Sequence, residues 1–302
     1  MSKGQEYSQS TELIASIRRL SCQLKPQPTG FPTRVTALAD IRAVIFDIYG
    51  TLLISGSGDI GPASAEQNEQ ALREALSVVG LPAEQLRDNS CATQILVDSI
   101  HEAQAGRRSQ GIEFPEVDII AVWQQVLMKL FKQDFDLAFS DAQVRRLAIE
   151  YECRTNPVWP MPGLRDALAT LRVAGRQLGI VSNAQFYTPL MFQALLDATP
   201  EELGFNPHLC AWSYEALEGK PSVTLFQQVL NELATVHGIR PQQTLYVGND
   251  MLKDIWPATQ LGFKTALFAG DRRSLRLRED DERCRGLQPD LVIEHLSQLA
   301  QL

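Results

Sequence analysis

Ala43-Val44-Ile45-Phe46-Asp47-Ile48-Tyr49-Gly50-Thr51-Leu52 is the stretch from which the rest of the chain can be read. Four apolar residues in succession fit a strand buried on both faces, and the run delivers a carboxylate, Asp47, at its C-terminal end. Tyr49-Gly50-Thr51 then places a tight turn beside that carboxylate. The backbone N–H groups of such a turn are expected to point at whatever Asp47 attacks.

Similar runs recur. Residues 178–181 end at Ser182, residues 244–247 end at Gly248-Asn249-Asp250, and residues 265–268 end at Ala269-Gly270. Leu291-Val292-Ile293 reads as a last edge strand. Between them lie helical patterns at 162–174, 221–237 and 251–261, closed by Gly175, Gly238 and Gly262. Pro near the start of the first two and Gly just past each end is the expected helix asymmetry. Strands alternating with helices of this length predict an α/β fold with a doubly wound, Rossmann-like parallel sheet.

Residues 58–155 break the rhythm. Helical periodicity at 65–79, 83–105, 115–132 and 141–154, with no buried strand, predicts an inserted all-helical cap domain. The chain then divides into an N-terminal extension (1–40), an α/β core (41–57 and 156–302) and the cap (58–155). Ser55-Gly56-Ser57-Gly58 and Asn156-Pro157 are the two crossings, and the Gly/Ser run is a natural hinge. In the extension, residues 13–24 predict one short amphipathic helix packed on the main body, with no chemistry.

The 302 residues carry 28 Lys+Arg against 36 Asp+Glu, a net charge of −8. That balance argues against a protein built for phosphate backbones, which need clustered cations. No continuously apolar window spans a bilayer, and no secretory signal is visible. Five scattered cysteines without a CxxC pair fit reduced thiols. The expectation is a cytoplasmic monomer or homodimer that binds a small anionic molecule, and neither nucleic acid nor membrane.

In a parallel sheet, ligands bind beyond the carboxyl ends of the strands. Asp47, Ser182-Asn183, Lys220 and Asn249-Asp250 with Asp254 all fall there. Asp47-Ile48-Tyr49-Gly50-Thr51-Leu52, Val181-Ser182-Asn183, Gly219-Lys220-Pro221 and Gly248-Asn249-Asp250…Asp254 together resemble, in order and placement, the four motifs of the haloacid dehalogenase superfamily of hydrolases. The resemblance runs from Ile41 to the C-terminus, and the helical insert lies where that family carries a C1-type cap.

The resemblance implies roles. Asp47 is the nucleophile of a covalent aspartyl intermediate; Ser182 bonds the transferred group, Asn183 shapes the same loop, and Gly50 and Thr51 complete the substrate-binding turn. Lys220 neutralises nucleophile and substrate charge. Asp47, the carbonyl of Tyr49, Asp250 and Asp254, with Asn249 or Asp250 at the usual first acidic place, would complete a Mg²⁺ site, since hard oxygen ligands suit that ion. The implied activity is Mg²⁺-dependent hydrolysis of a small phosphorylated metabolite.

Tyr49 departs from the phosphatase pattern. It stands where those enzymes carry the Asp that protonates the leaving alkoxide, and a phenol with a pKa of about 10 is a poor acid; losing a general acid costs about 10²–10⁴-fold in rate. The family's 2-haloacid dehalogenases carry Tyr there, because a halide leaves without a proton. Charge points the other way. Asp47, Asp250 and Asp254 against Lys220 would repel any anionic substrate unless a cation joins them. A Mg²⁺-dependent phosphatase with a weakened acid is therefore expected, with a dehalogenase or a catalytically weak ligand-binding relative as alternatives.

Other residues read as structural. His101, His208, His237 and His295 lack metal-ligand spacing, and Trp123, Leu127 and Phe131 read as cap core. Arg272, Arg273, Arg276 and Arg278 face an acidic run at 279–282 and read as a solvated, self-compensating loop. Arg73, Arg107 and Arg108 are cap cations, none preferred, for a substrate anion.

Overall fold

In the computed structural model, which describes residues 3–57, 65–83, 86, 92–131 and 139–301, Ala43–Phe46 forms strand β1. Its side chains alternate between two apolar layers. Val44 and Phe46 enter one cluster with Leu168 and Phe192, while Ala43 and Ile45 enter another with Phe226 and Val229. Burial on both faces is what an interior strand of a parallel sheet requires, and it explains the unbroken apolar run.

The remaining strands are β2 (Leu53–Ser55), β3 (Val158–Pro160), β4 (Gln177–Ser182), β5 (Phe205–Trp212), β6 (Thr244–Gly248), β7 (Lys264–Phe268) and β8 (Leu291–Ile293). Six of them form a parallel sheet in the order β5-β4-β1-β6-β7-β8. The predicted doubly wound α/β fold is thus observed. With β4 on one side of β1 and β6 on the other, Asp47 emerges at the crevice where the strand order reverses.

Two strand features differ from the sequence reading. The edge strand β5 escaped it because Asn206-Pro207-His208 interrupts the apolar pattern; an edge position tolerates the proline. β2 and β3 pair antiparallel into a short ribbon outside the main sheet, at the two crossings to the helical block.

The helices are α1 (Lys3–Leu20), α2 (Ala65–Val78), α3 (Ala92–Arg108), α4 (Ile119–Leu130), α5 (Asp141–Thr155), α6 (Leu164–Val173), α7 (Thr188–Leu196), α8 (Ser213–Ala216), α9 (Thr224–Thr235) and α10 (Trp256–Gln260). Helices α2 to α5 lie between β2 and β3, as the periodicity predicts. α4 starts at Asp118, whose carboxylate accepts from the Ile120 N–H, and α5 starts with a capping box of Ser140 and Gln143. Trp123, Leu127 and Phe131 are buried in the apolar cluster of this block. Gly58, Cys91 and Lys132 lie outside the described residues. α7, absent from the sequence reading, is nearly all apolar and so shows little periodicity. The helix expected at 251–261 is a π-turn over Met251–Ile255 followed by the short α10.

The bounds of α1 are a correction: it begins well before residue 13 and ends at Leu20, and it packs on the main body as expected for residues 13–24. Leu13, Ile14 and Ile17 are buried in the main core. Arg18 donates to the carbonyls of Gln193 and Ala194 and pairs with Asp197 at the end of α7, while Arg19 reaches Glu150 of α5 at 2.5 Å. One helix therefore touches both the sheet's flank and the helical block. Among the described residues, no helix is long and apolar enough to cross a membrane.

Candidate active site

β1 ends at Phe46, and the Asp47 N–H still bonds the Val247 carbonyl at 2.9 Å, so the carboxylate is anchored by the ladder itself. Its Oδ1 accepts from the Ser182 hydroxyl at 3.0 Å and from Lys220 Nζ at 2.6 Å. Lys220 also reaches Asp254 Oδ1 at 2.6 Å and lies 3.3 Å from the Tyr246 hydroxyl. All five charged or hydroxyl groups, Asp47, Ser182, Lys220, Asp254 and Tyr246, are buried. Burial by itself would lower the Lys220 ammonium, but Asp254 and Asp47 outweigh it and hold its pKa above the ordinary lysine value. Asp254 is pushed up to about 6 by burial, opposed by Lys220 and reinforced by Asp47 and Asp250.

Asn183 does not face the nucleophile with its amide. Its Oδ1 accepts from the Lys220 N–H at 2.7 Å and its Nδ2 donates to the Lys220 carbonyl at 3.3 Å, clamping that loop as expected. The turn after Asp47 differs from expectation. The Gly50 N–H donates to Leu53 O at 2.6 Å and the Thr51 N–H to Ile48 O at 3.1 Å, so neither is free for substrate. Gly50 has φ +88°, and a Cβ there would stand 2.5 Å from Ser274 Cβ and 2.8 Å from Asn249 Nδ2. Its role, like that of the fully buried Thr51, is to close the turn against Asn249 rather than to bind substrate.

The Tyr49 hydroxyl is engaged with Thr188 Oγ1 at 2.9 Å and Met191 Sδ at 3.4 Å. Burial, helped by the charge of Glu152, raises its pKa well above that of an ordinary phenol. Both facts argue against a catalytic proton from Tyr49.

The expected Mg²⁺ ligands fare worse. Thr51 Oγ1 donates to Asn249 Oδ1 at 3.0 Å, while Asn249 Nδ2 donates to the Ser274 carbonyl at 2.6 Å. Reversing that amide would set oxygen against oxygen, so its orientation is fixed, with the oxygen accepting from Thr51. Asp250 caps the π-turn by accepting from the Leu252 and Lys253 N–H groups, and Arg278 grips both its oxygens, Nη2 at 2.6 Å. Asp254 Oδ2 takes the N–H groups of Asn249 and Asp250 at 3.0 and 2.9 Å. Of the five expected donors, only Asp47, through its Oδ2, and the Tyr49 carbonyl offer an oxygen outside such bonds. Among the described residues no group of three or more His, Cys, Asp or Glu side chains is arranged to hold a metal ion. As held here, the donor set does not fit a resident Mg²⁺.

The charge argument for that ion also needs correction. Arg278, read from sequence as part of a solvated loop, neutralises Asp250 through a fork-on-carboxylate pair, and it sits at φ +53° to do so. Arg276 and Lys253 line the same cavity as Asp47. The arginine run gave no signal of this, because its proximity to Asn249 comes from a backbone bridge, Arg276 N–H to Asn249 O at 3.0 Å.

That cavity has a volume of about 250 Å³. Above the Asp47–Lys220–Asp254 floor its walls are polar: Ser55, Ser57, Asn156 and Gln185, with two carboxyl groups, Glu116 and Glu152. Arg73, Arg107 and Arg108 are not among its lining residues. Glu116, in the loop between α3 and α4, accepts from the Val117 N–H, Gln185 Nε2 and Ser213 Oγ. The same loop pairs with the core beside Lys220, through Glu116 N–H to Leu217 O and Gly219 N–H to Phe114 O. Glu152, in the last turn of α5, accepts from Asn156 Nδ2 at 3.1 Å and from the Tyr187 hydroxyl. Burial raises the pKa of both carboxyls. Neither was singled out from sequence, since helical acids are ordinarily solvated.

Comparison with known proteins shows the family and the fold. The family described as haloacid dehalogenase-like hydrolase matches residues 41–274. A glyceraldehyde 3-phosphate phosphatase of Pyrococcus furiosus is 25% identical over 160 residues, 47% of this chain and 60% of the relative, so the match spans under two thirds of that protein. Among solved structures, a 2-haloacid dehalogenase from Pseudomonas syringae pv. Tomato superposes with a TM-score of 0.51 at 21% identity, covering 86% of this chain and 96% of its own. A HAD phosphatase from Thermococcus onnurineus gives 0.45 at 20% identity over 86% and 96%.

Proposed function

Because the chain belongs to the haloacid dehalogenase-like hydrolases, we propose that Asp47 is the nucleophile of a hydrolase acting on a small phosphorylated, hydroxyl-bearing metabolite. In this reading residues 41–57 and 156–302 form the catalytic core and 58–155 the cap that covers it. Lys220 and Ser182 hold Asp47 Oδ1, so Oδ2 attacks phosphorus. The ester oxygen departs, and water then hydrolyses the aspartyl phosphate. Lys220, Lys253 and Arg276 supply the positive charge that a phosphoryl dianion needs.

The carrying observation is the polar wall of the cavity. Ser55 and Ser57 bond Asn156, Asn156 bonds Glu152 and Gln185 bonds Glu116 and the Val117 carbonyl, and the remaining acceptor sites of these groups are what a hydroxylated leaving group can use. The phosphatase relative from P. furiosus is in keeping with this class. A second reading, 2-haloacid dehalogenation, is favoured by one observation: Tyr49 and the locked Asn249 leave neither a proton donor at the usual place nor a metal site, and a halide requires neither.

A panel of polyol phosphates, aryl phosphates and 2-haloacids, each assayed in EDTA and in Mg²⁺, separates the two. Phosphate release that is independent of Mg²⁺ and lost in Asp47→Asn is the expected result. Halide release without phosphate release establishes the second reading instead.

A further inference from the structure

Expelling an alkoxide from a phosphate ester requires a proton, and Tyr49 does not supply one. Besides Asp47, Asp250 and Asp254, two carboxyl-bearing residues line the cavity, Glu116 and Glu152. Glu116 is surrounded by donors, of which the Val117 N–H and Gln185 Nε2 cannot reverse, so its surroundings suit a carboxylate that ties the α3–α4 loop to the core.

Glu152 differs. The amide of Asn156 is oriented by Ser55 Oγ and Ser57 Oγ, which donate to its Oδ1 at 2.8 and 2.9 Å, and this turns Nδ2 onto Glu152 Oε1. The crossing between core and helical block thus fixes one carboxyl oxygen. The other neighbour, the Tyr187 hydroxyl, can donate or accept as the protonation state demands. The carboxyl opens into the cavity that Asp47 floors.

We propose that Glu152 is the general acid of the phosphoester reaction, standing in from α5 for the acid missing at position 49; the inference rests on the phosphatase reading above. As Asp47 Oδ2 bonds to phosphorus, the ester P–O bond breaks and its electron pair takes the Glu152 proton, releasing an alcohol. The Glu152 carboxylate then removes a proton from the water that attacks the aspartyl phosphate. Phosphate leaves, Asp47 is regenerated and Glu152 is again protonated. Burial keeps Glu152 protonated to higher pH than an ordinary carboxyl. The titratable groups facing it are Tyr49, Tyr187 and Cys153, all pushed upward by burial and so uncharged across the working range.

The test compares an alkyl and an aryl phosphate, in wild type, Glu152→Gln and Glu152→Asp, over a pH series. Gln preserves both hydrogen bonds of the carboxyl. With Glu152 as acid, Glu152→Gln lowers kcat/KM, which reports the steps up to leaving-group departure, by about 10²–10⁴-fold for the alkyl ester, changes kcat/KM for the aryl ester only a few-fold, and removes the alkaline limb of the alkyl-ester kcat/KM profile. Glu152→Asp keeps that limb. Equal losses of kcat/KM on both esters, or an alkaline limb that survives in Glu152→Gln, would overturn the assignment while leaving the phosphatase reading intact. Should Glu152→Gln fail to fold, wild type alone decides: with an acid in place its rate depends weakly on leaving-group pKa, and a steep dependence refutes the proposal. A protein that turns over 2-haloacids and no phosphate ester overturns both readings.

Discussion

Asn249→Asp installs the carboxylate that a metal site at motif IV would use, and it tests whether the amide is there to exclude one. In the native protein Asn249 Nδ2 donates to Ser274 O at 2.6 Å, and its oxygen accepts from Thr51 at 3.0 Å. The variant keeps the second bond and turns the first into a buried carboxylate oxygen facing a carbonyl oxygen. Losing one buried donor so that its acceptor is unsatisfied costs about 1–3 kcal/mol, and the unneutralised charge beside Asp254 adds to it. At about 2–4 °C per kcal/mol, Tm in EDTA falls by roughly 3–10 °C. Mg²⁺ at a hundred times its Kd stabilises a binding-competent fold by about 2.7 kcal/mol, so the variant recovers most of this loss in excess Mg²⁺. Wild type, lacking a second carboxylate oxygen free for the ion, shows no such shift. Thermal unfolding of both proteins, with EDTA and with excess MgCl₂, is the assay. A Mg²⁺-dependent rise of several degrees in wild type, or an Asn249→Asp variant as stable as wild type in EDTA, refutes the reasoning.

Asp47→Asn abolishes turnover of every substrate the enzyme accepts, measured as phosphate or halide release, because an amide forms no aspartyl intermediate. Ile17→Ala, at a fully buried position of α1, destabilises by about 2–5 kcal/mol in denaturant unfolding; a change within error would show that the N-terminal helix contributes little. Glu152 is raised above its unfolded value, so its contribution is fully present below about pH 4 and is lost as pH rises through the folded pKa. Glu152→Gln, which cannot ionise, therefore gains Tm relative to wild type progressively above that pH, and a pH-independent difference would contradict the burial argument.

The parts of this molecule that were legible in sequence are those where a local pattern and a tertiary demand coincide. β1 is apolar throughout because both its faces are covered, and the carboxylate that ends it falls at the switch point by topology alone. Lys220 and Asp254, distant in sequence, converge on Asp47 because each follows or precedes an element of the same sheet edge. What failed is also instructive. A solvated reading of Arg276 and Arg278 follows from their acidic neighbours in sequence, yet their partner is across a loop bridge. Asp250 looks like a ligand by spacing, but a residue directly before a helical turn is as well suited to capping it, and here it does. Glu152 sits on a helix whose other acids are surface pairs or, like Glu150, structural ion-pair partners. Only the direction in which α5 meets the crossing separates it from them.

The position of α1 has a mechanical consequence. Two polypeptide crossings set close together, stitched by the Asn156 amide, define an axis about which the helical block can rotate against the sheet. A third attachment lying off that axis removes the rotation. Adjacent arginines of α1 hold one body each, Arg18 on α7 and Arg19 on α5, with Leu13, Ile14 and Ile17 wedged between them. Swinging the two bodies apart therefore requires the helix to let go of one of them.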